Sequence, residues 1–313
     1  MSKLTPMMEQ YQEVKKEIPD CLLFFRLGDF YEMFFEDAVT AARELELTLT
    51  GRSCGQEERA PMCGVPYHAA ETYIQRLVQK GYKVAICEQM EDPKEAKGLV
   101  RREITRIITP GTSMNADGIG EGKNNYIMSV NRVADVIGLA VADITTGEFL
   151  VTEFSEEEKL WDEMAKFDPA ELLVNEDLHN MQSLNLEAIQ ARYPVYINPY
   201  GHYHYQYERC RDQLLHHFGM ITLDGLGLQH MELGVTAAGA LLDYLLETQK
   251  RDLHHINQLK TYSVQQYMVL DAATRRNLEL TETMRDKGRR GSLLWVLDHT
   301  RTAMGGRRLR RWL

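Results

Sequence analysis

The segment Gly28-Asp29-Phe30-Tyr31-Glu32 places an aromatic ring and a carboxylate two residues apart, directly after an apolar run. One interpretation is structural: Asp29 caps a helix, Glu32 completes a capping box, and Phe30 joins a buried stripe with Phe34. The other is chemical: Phe30 projects from the first helical turn toward a flat π-system such as a nucleobase. Glu32 would then hydrogen-bond a base edge, because phosphates repel a carboxylate without such a partner. The residues alone leave both interpretations open.

Two other patterns suggest nucleotide or metal binding but lack the required spacing. The segment 118–123 (GIGEGK) suggests a phosphate loop, yet Asp117 and Asn124 stand where that motif needs glycine and Ser or Thr. We therefore expect a flexible linker there and no cofactor in this span. Metal-ligand types also gather within 16 residues, but they match no standard zinc spacing, so we expect no metal. They are His202, His204, Cys210, His216 and His217.

Asp143 lies in a strand-like run, with Asp135, Glu148 and Glu171 in the same region. A two-metal nuclease needs several carboxylates that converge on each metal, and an RNase H-like fold places one such aspartate on its first strand. One suitably placed aspartate is not a cluster, so solvated hairpin acids are the favoured interpretation. A metal-dependent, RNase H-like nuclease using Asp143 remains the alternative function.

The last residues are basic in an acidic chain. Residues 270–313 carry 11 Lys and Arg against 5 Asp and Glu, whereas the whole chain has a net charge of −10. A basic helical face could follow a DNA backbone, or the helix could form salt bridges with the acidic middle of the chain. Both interpretations remain open for the arginines of this segment. They are Arg289, Arg290, Arg301, Arg307, Arg308, Arg310 and Arg311.

The elements that must position these residues begin with a mixed α+β region over residues 1–112. We predict a helix over 5–18, a strand over Cys21–Leu27, a tight turn at Gly28-Asp29 and a helix over Phe30–Leu45. A helix over Ala70–Lys80 and strands over Tyr82–Glu88 and Arg101–Thr109 complete the region. The turn and the following helix would present Phe30 and Glu32.

Residues 113–125 have almost no apolar side chains, which predicts a linker. Strands over 126–133, 135–146, 147–154 and 171–174, with helices over 156–166 and 178–192, predict an α/β domain over 126–250. We expect a tyrosine-rich loop over 193–207, then helices. Residues 251–313 read as the start of an all-helical domain, and because the chain stops without a helix stop signal, we expect a truncated C-terminus.

Composition narrows the class of protein. The chain is 44% hydrophobic and 26% charged, and no apolar run approaches the roughly 20 residues of a membrane span. The N-terminus lacks an apolar signal core, which argues against a membrane or secreted protein. Five cysteines without a C-x-x-C pair encode neither a disulfide framework nor a zinc finger. We expect a reducing compartment, the cytoplasm.

Six stretches in order along nearly the whole chain resemble the MutS family of bacterial DNA mismatch-repair proteins. They are TPMMEQY at 5–11, FFRLGDFYEMFFEDA at 24–38, PMCGVPYHA at 61–69, VAICEQMEDP at 84–93, RIITPGT at 106–112 and LDAATRRNLEL at 270–280. The resemblance implies a mismatch-recognition domain over 1–112, an RNase H-like connector domain over 126–250 and the start of a helical core or lever domain over 251–313.

The resemblance also implies site residues and partners. The Phe-x-Glu motif of the family falls on Phe30-Tyr31-Glu32, so Phe30 would stack on a mispaired base and Glu32 would hydrogen-bond it. Further DNA contacts, carried over less directly, are Arg52, Met62, Gly64 and Arg106. Mismatched double-stranded DNA and, through the connector, MutL are the implied partners. The ATPase of the family, with its ATP and magnesium and its homodimer contacts, has no counterpart here, so we expect no catalytic activity in this span.

Overall fold

The computed structural model describes residues 4–55, 58–91, 98–113, 123–180, 184–250, 253–264 and 270–313. The chain divides into two compact units. The first comprises Met1–Ser113 with Leu246–Asp252, and the second comprises Met114–Leu245 with Leu253–Leu313. Each contains a six-stranded sheet, so the protein is a mixed α/β structure as expected. The predicted domain boundaries remain a prediction.

Six strands form the sheet of the first unit: β1 (Cys21–Leu27), β2 (Phe30–Phe34), β3 (Thr50–Arg52), β4 (Ala60–Pro66), β5 (Lys83–Gln89) and β6 (Arg102–Ile108). Their order across the sheet is β3-β4-β2-β1-β5-β6. β1 runs parallel to β5, and the other neighbouring pairs are antiparallel. β2 therefore lies in the interior of the sheet, with β1 on one side and β4 on the other.

Three helices accompany this sheet: α1 (Pro6–Glu17), α2 (Phe35–Leu45) and α3 (Ala70–Gln79). Successive strand residues point to opposite faces, which gives the unit two separate cores. Leu45 of α2 and Leu77 of α3 join one core, together with Tyr31 and Met33 of β2. Tyr11 of α1 joins the other, which also holds Phe34.

The predicted helix over Phe30–Leu45 is wrong in its first five residues. These residues form β2, which pairs with β1 and with β4, and the helix begins at Phe35. Gly28 adopts a φ of +58°, which glycine tolerates well, and the two-residue Gly28-Asp29 connection turns β1 back as a hairpin. Asp29 is therefore no helix cap and Glu32 forms no capping box, because hydrogen bonding on both edges outweighs the local helical spacing.

Six further strands form the sheet of the second unit: β7 (Ile127–Val133), β8 (Val136–Asp143), β9 (Glu148–Phe154), β10 (Glu171–Asn175), β11 (Tyr196–Tyr200) and β12 (Lys260–Thr261). Their order is β11-β10-β7-β8-β9-β12. The segment predicted as a loop over 193–207 contains β11, so that prediction is wrong. β11 pairs with β10 at the edge of the sheet, where Pro199 is tolerated because an edge strand leaves one side unpaired.

The remaining helices are α4 (Glu157–Phe167), α5 (Glu176–Asn180), α6 (Leu186–Arg192), α7 (Tyr207–Phe218), α8 (Glu232–Gln249), α9 (Ala272–Asn277), α10 (Leu293–Leu297) and α11 (Ala303–Trp312). Three short helices thus stand where helical periodicity was predicted over 271–313. Most of the predicted linker, residues 114–122, lies outside the described residues. Within the described residues, no helix has the length and apolar character needed to cross a membrane.

Candidate nucleic-acid interface

Phe30 stands at the tip of the β1–β2 hairpin with 46% of its surface exposed. It pairs with Leu27 across the turn and with Pro66 of β4. In the part of the chain that the structure describes, its ring makes no aromatic contact. Phe30 therefore does not extend the buried stripe, and that structural interpretation is wrong. The exposed ring offers a flat apolar surface to a ligand.

Glu32 follows two residues later on the same face of β2. Its Oε2 accepts a hydrogen bond and ion pair from Nη1 of Arg52. The Glu32 side chain is 17% exposed and that of Arg52 is 40% exposed. Among the described residues, Oε1 of Glu32 has no hydrogen-bond donor. One carboxylate oxygen is thus held by the protein, and the other can accept from a ligand.

Gly64 gives the Glu32 side chain its room. The two residues pair across β2 and β4. A Cβ at position 64 would lie 3.4 Å from Cγ of Glu32 and 3.2 Å from the carbonyl oxygen of Tyr31. Met62, two residues earlier on β4, is partly buried against the core that contains Phe34, and its carbonyl oxygen accepts a hydrogen bond of 3.0 Å from Thr50. The structure therefore brings Glu32, Arg52, Met62 and Gly64 together.

Arg106 lies elsewhere on the same sheet. It pairs with Ile86 of β5, and Ile86 pairs with Phe24 of β1. Ile86 and Phe24 belong to the core on the opposite face from Phe34. The register thus places Arg106 on the other face from Glu32, and three strand positions from β2. Its role as a DNA contact stays a prediction.

Arg26 and Tyr67 also belong to this tip, although the sequence analysis did not single them out. The Arg26 guanidinium lies 3.9 Å from the centroid of the Tyr67 ring, and Tyr67 is 46% exposed. The backbone N–H of Tyr67 donates to the carbonyl of Asp29 at 2.9 Å, which ties the end of β4 to the turn. Both residues occur in stretches that resemble the MutS family, and that was the available signal.

A second group of contacts holds the hairpin to β5 through the side chains of Tyr31 and Arg26. The hydroxyl of Tyr31 donates to Glu88, and Nη1 of Arg26 lies 4.0 Å from the same carboxylate. Burial first, and then the hydrogen bond to Glu88, raises the pKa of Tyr31 above its usual range. Tyr31 therefore stays a neutral donor, and the strand that carries Phe30 is held to β5 through its side chain.

Asp37 anchors the junction between β2 and α2. Its buried carboxylate accepts hydrogen bonds from the Tyr11 hydroxyl at 3.0 Å, Lys15 Nζ at 2.9 Å and the backbone N–H of Leu23 at 3.1 Å. Burial, and next the charge of Asp37, raises the pKa of Tyr11 far above its usual range. This network links α1, β1 and α2, so the hairpin projects from a well-connected base.

In the second unit, three of the four acids considered for a nuclease, Asp143, Glu148 and Glu171, are engaged in structural contacts. Asp143 is fully buried and accepts from Asn124 Nδ2 at 2.7 Å and from Thr145 N at 2.8 Å. Glu171 accepts from Tyr244 at 2.7 Å and from Asn198 at 2.9 Å. Among the described residues, these acids and Glu148 do not form a three-ligand metal cluster. The nuclease alternative is not supported.

Among the residues considered as metal ligands, His202, His204 and Cys210 have protein partners. Nδ1 of His202 lies 2.7 Å from Asp177, and Nδ1 of His204 lies 2.6 Å from Asp243. The Cys210 thiol donates to the carbonyl of His204 at 3.1 Å, and burial raises its pKa to about 12. A thiol held neutral in this way is a poor zinc ligand.

Part of the basic C-terminal segment forms structural contacts. Arg311 of α11 makes an ion pair with Glu148, and Nη1 of Arg307 donates to the Thr145 hydroxyl at 2.9 Å. Arg289 pairs with Asp298. The salt-bridged interpretation therefore fits Arg311, whose partner lies in the acidic middle of the chain, whereas Arg307 donates to a hydroxyl and Arg289 pairs within the C-terminal segment. The glycine-rich segment considered as a phosphate loop falls almost wholly outside the described residues.

Comparisons with known proteins match three consecutive families. Residues 5–117 match MutS domain I, residues 125–257 match MutS domain II and residues 273–313 match MutS domain III. The DNA mismatch repair protein MutS of Lachnoclostridium phytofermentans is 53% identical over 310 residues, covering 99% of this chain and 33% of that protein.

Two other relatives give the same result. MutS of Ruminiclostridium cellulolyticum is 53% identical over 316 residues, covering 100% of this chain and 36% of that protein. MutS of Halothermothrix orenii is 49% identical over 321 residues, covering 100% of this chain and 35% of that protein. The chain thus spans about a third of the length of these relatives.

Proposed function

The chain belongs to the MutS family, and from that premise we propose that it recognises mispaired bases in duplex DNA through the tip of its first sheet. One observation carries the proposal. Phe30 is an exposed aromatic residue at the end of a hairpin, and the half-free carboxylate of Glu32 lies on the same strand face. An apolar plane beside a hydrogen-bond acceptor suits a base that is partly out of its stack.

The recognition step uses the low cost of deforming a mispair. Phe30 enters from the minor groove and stacks on the mispaired base, which bends the duplex at that step. A mispair is less well stacked and paired than a matched pair, so the bend costs less there. Oε1 of Glu32 accepts a hydrogen bond from a base N–H. Specificity then comes from deformability, which suits a protein that must accept many mispairs.

The neighbouring residues have supporting roles in this proposal. Arg52 lies beside Glu32, Met62 and Gly64 form the adjacent strand surface, and Arg106 on the other face contacts the backbone of bent DNA. Arginines that contact phosphates fix the position of a protein on DNA without reading its sequence. The buried Asp37 and the partly exposed Glu88 hold the hairpin in place when the base stacks on it.

The second unit has a different role in the proposal. We assign it as an RNase H-like connector domain without the nuclease cluster, which offers a surface to MutL, and residues 251–313 as the start of a helical core or lever domain. ATP and magnesium, and the contacts that make a homodimer, belong to parts of the family's protein outside this chain.

The test compares binding to a duplex with one central G·T mispair and to the matched duplex, by fluorescence anisotropy at two salt concentrations. Phe30→Ala should remove most of the preference for the mispair, since base stacking on an aromatic side chain is worth about 1–3 kcal/mol. Glu32→Gln should keep or raise the overall affinity and lower the preference, because it removes a charge that faces phosphates. Val39→Ala trims an exposed apolar residue of α2 and serves as the control.

The thermal stability of each variant separates function from folding. Phe30→Ala should melt close to the parent protein, because its ring is nearly half exposed. A large fall in melting temperature with the preference intact would mean that Phe30 serves the core. A parent chain that binds both duplexes equally would also contradict the proposal.

A further inference from the structure

The ion pair between Glu32 and Arg52 crosses a strand. Glu32 lies on β2 and Arg52 on β3, and β4 separates the two in the sheet. The register sets Arg52 opposite Ala60 and Glu32 opposite Gly64, so the guanidinium reaches back along β4 toward the hairpin tip. Gly64, which has no side chain, leaves this path open. The pair is thus a contact between distant strands that the local fold does not enforce.

A carboxylate at a DNA interface is repelled by the negatively charged phosphates. The phosphates raise the energy of its ionised form, and only that form offers two acceptor oxygens. A nearby guanidinium offsets this repulsion, because it carries the opposite charge. Arg52 is the residue that supplies this charge to Glu32, and it binds Oε2 while Oε1 stays open.

We propose that Arg52 contributes to mismatch specificity by positioning Glu32. It holds Oε2 so that Oε1 of the carboxylate faces the base, and the pair stays closed when DNA is bound. Arg52 is then a positioning residue for base recognition. This inference rests on the proposed function, because it requires that Glu32 contact the base.

A plain phosphate contact by Arg52 makes a different prediction. Loss of a phosphate contact weakens binding to every duplex about equally and lowers the dependence of affinity on salt. Loss of a positioning residue weakens binding to the mispaired duplex more than to the matched one. It also has no further effect on discrimination once the Glu32 carboxylate is gone, since there is nothing left to position.

The experiment is a double-mutant cycle on the 313-residue chain, with the G·T and matched duplexes as probes. Arg52→Gln should reduce the ratio of the two affinities about tenfold in the Glu32 background, the size of one lost hydrogen bond to a charged group. In the Glu32→Gln background, Arg52→Gln should leave that ratio unchanged. Arg52→Lys should retain part of the discrimination because it keeps the charge. Arg59→Gln removes another exposed arginine near β3 and should leave the ratio as in the parent.

Three outcomes decide the matter. An equal loss of affinity for both duplexes after Arg52→Gln, with the same loss in the Glu32→Gln background, would overturn the inference and assign Arg52 to a phosphate. Equal effects of Arg52→Gln on the ratio in both backgrounds would overturn it as well. If Phe30→Ala and Glu32→Gln both kept the parent's ratio of affinities for the G·T and matched duplexes, the proposed function itself would be contradicted. That result is separate from the outcome for Arg52. Circular-dichroism melting of each variant confirms that the sheet is intact.

Discussion

The guanidinium of Arg26 lies 3.9 Å from the centre of the Tyr67 ring, so the last part of β1 is joined to the residue that follows β4. Phe30 lies between them, paired with Leu27 and Pro66. The stack therefore joins the ends of β1 and β4 at the hairpin tip. It is one of the contacts that hold the backbone of the hairpin tip, which carries Phe30.

Replacing Arg26 tests this support. Arg26→Ala should lower the free energy of unfolding by about 1–2 kcal/mol, because it removes the stack on Tyr67 and the side-chain contact with Glu88. Urea denaturation followed by circular dichroism measures the change. Arg43→Ala is the matched control, since its side chain is 68% exposed and its ion-pair partner, Glu44, is its neighbour in sequence. Equal stability of the two variants would show that the stack contributes nothing.

The sequence predicted the elements whose boundaries are marked by local chemistry. β1 is a continuous apolar run that ends at Gly28, and α3 is an amphipathic stretch that ends before Gly81. Such segments combine a clear period with a clear stop signal. β11 was missed because Asn198 and Pro199 interrupt its strand pattern, and only its position at the sheet edge makes that pattern acceptable.

β2 shows why the site itself was only partly predictable. Phe30 to Phe34 carry a spacing that also fits one turn of a helix, and pairing with β4, more than 25 residues away, decides for a strand. Phe30 and Glu32 were assigned to DNA by family resemblance, since spacing alone admitted a capping box. The pair between Glu32 and Arg52 depends on the sheet order, which no local pattern encodes.

The five cysteines give a test of burial. All are free and buried, and burial raises the pKa of Cys63 to about 11 and those of Cys21 and Cys87 to about 12. We expect no reaction with an aromatic disulfide reagent at pH 8 in the folded protein and five equivalents after denaturation. Leu49→Cys, at a position 47% exposed, provides the reactive control. A native thiol that reacts as fast as Cys at position 49 would contradict this burial.

Asp243 should make the second unit sensitive to acid. Burial raises its pKa, but hydrogen bonds from Arg209, His204 and Gln213 outweigh burial and lower it below the usual value. The folded pKa is therefore below the unfolded value of about 3.9, so this stabilisation is complete above that pH. It is lost as the pH falls through the folded pKa. Denaturation in urea between pH 2 and 6, roughly the range in which carboxylates titrate, should show a steeper loss in the parent than in Asp243→Asn.

Identical slopes in the two proteins would mean that Asp243 is not linked to stability. Asp212→Asn is a suitable control, because its carboxylate is 67% exposed and pairs with an arginine next to it in sequence. That variant should keep the acid slope of the parent. The comparison separates a buried, hydrogen-bonded carboxylate from an exposed ion pair, which contributes little.

Gly64 links stability and recognition at the same position. In Gly64→Ala the new Cβ lies 3.2 Å from the Tyr31 carbonyl oxygen, so β2 or β4 must give by a few tenths of an ångström beside Glu32, whose Cγ lies 3.4 Å away. We expect a loss of about 1–3 kcal/mol in the free energy of unfolding, as for other overpacked sites. The preference for a G·T duplex should fall as well, because the Glu32 carboxylate is displaced from Arg52. Gly288→Ala, where a Cβ meets nothing within 4 Å, should change neither quantity. If Gly64→Ala lost stability but discriminated like the parent, the position of Glu32 would not matter for recognition.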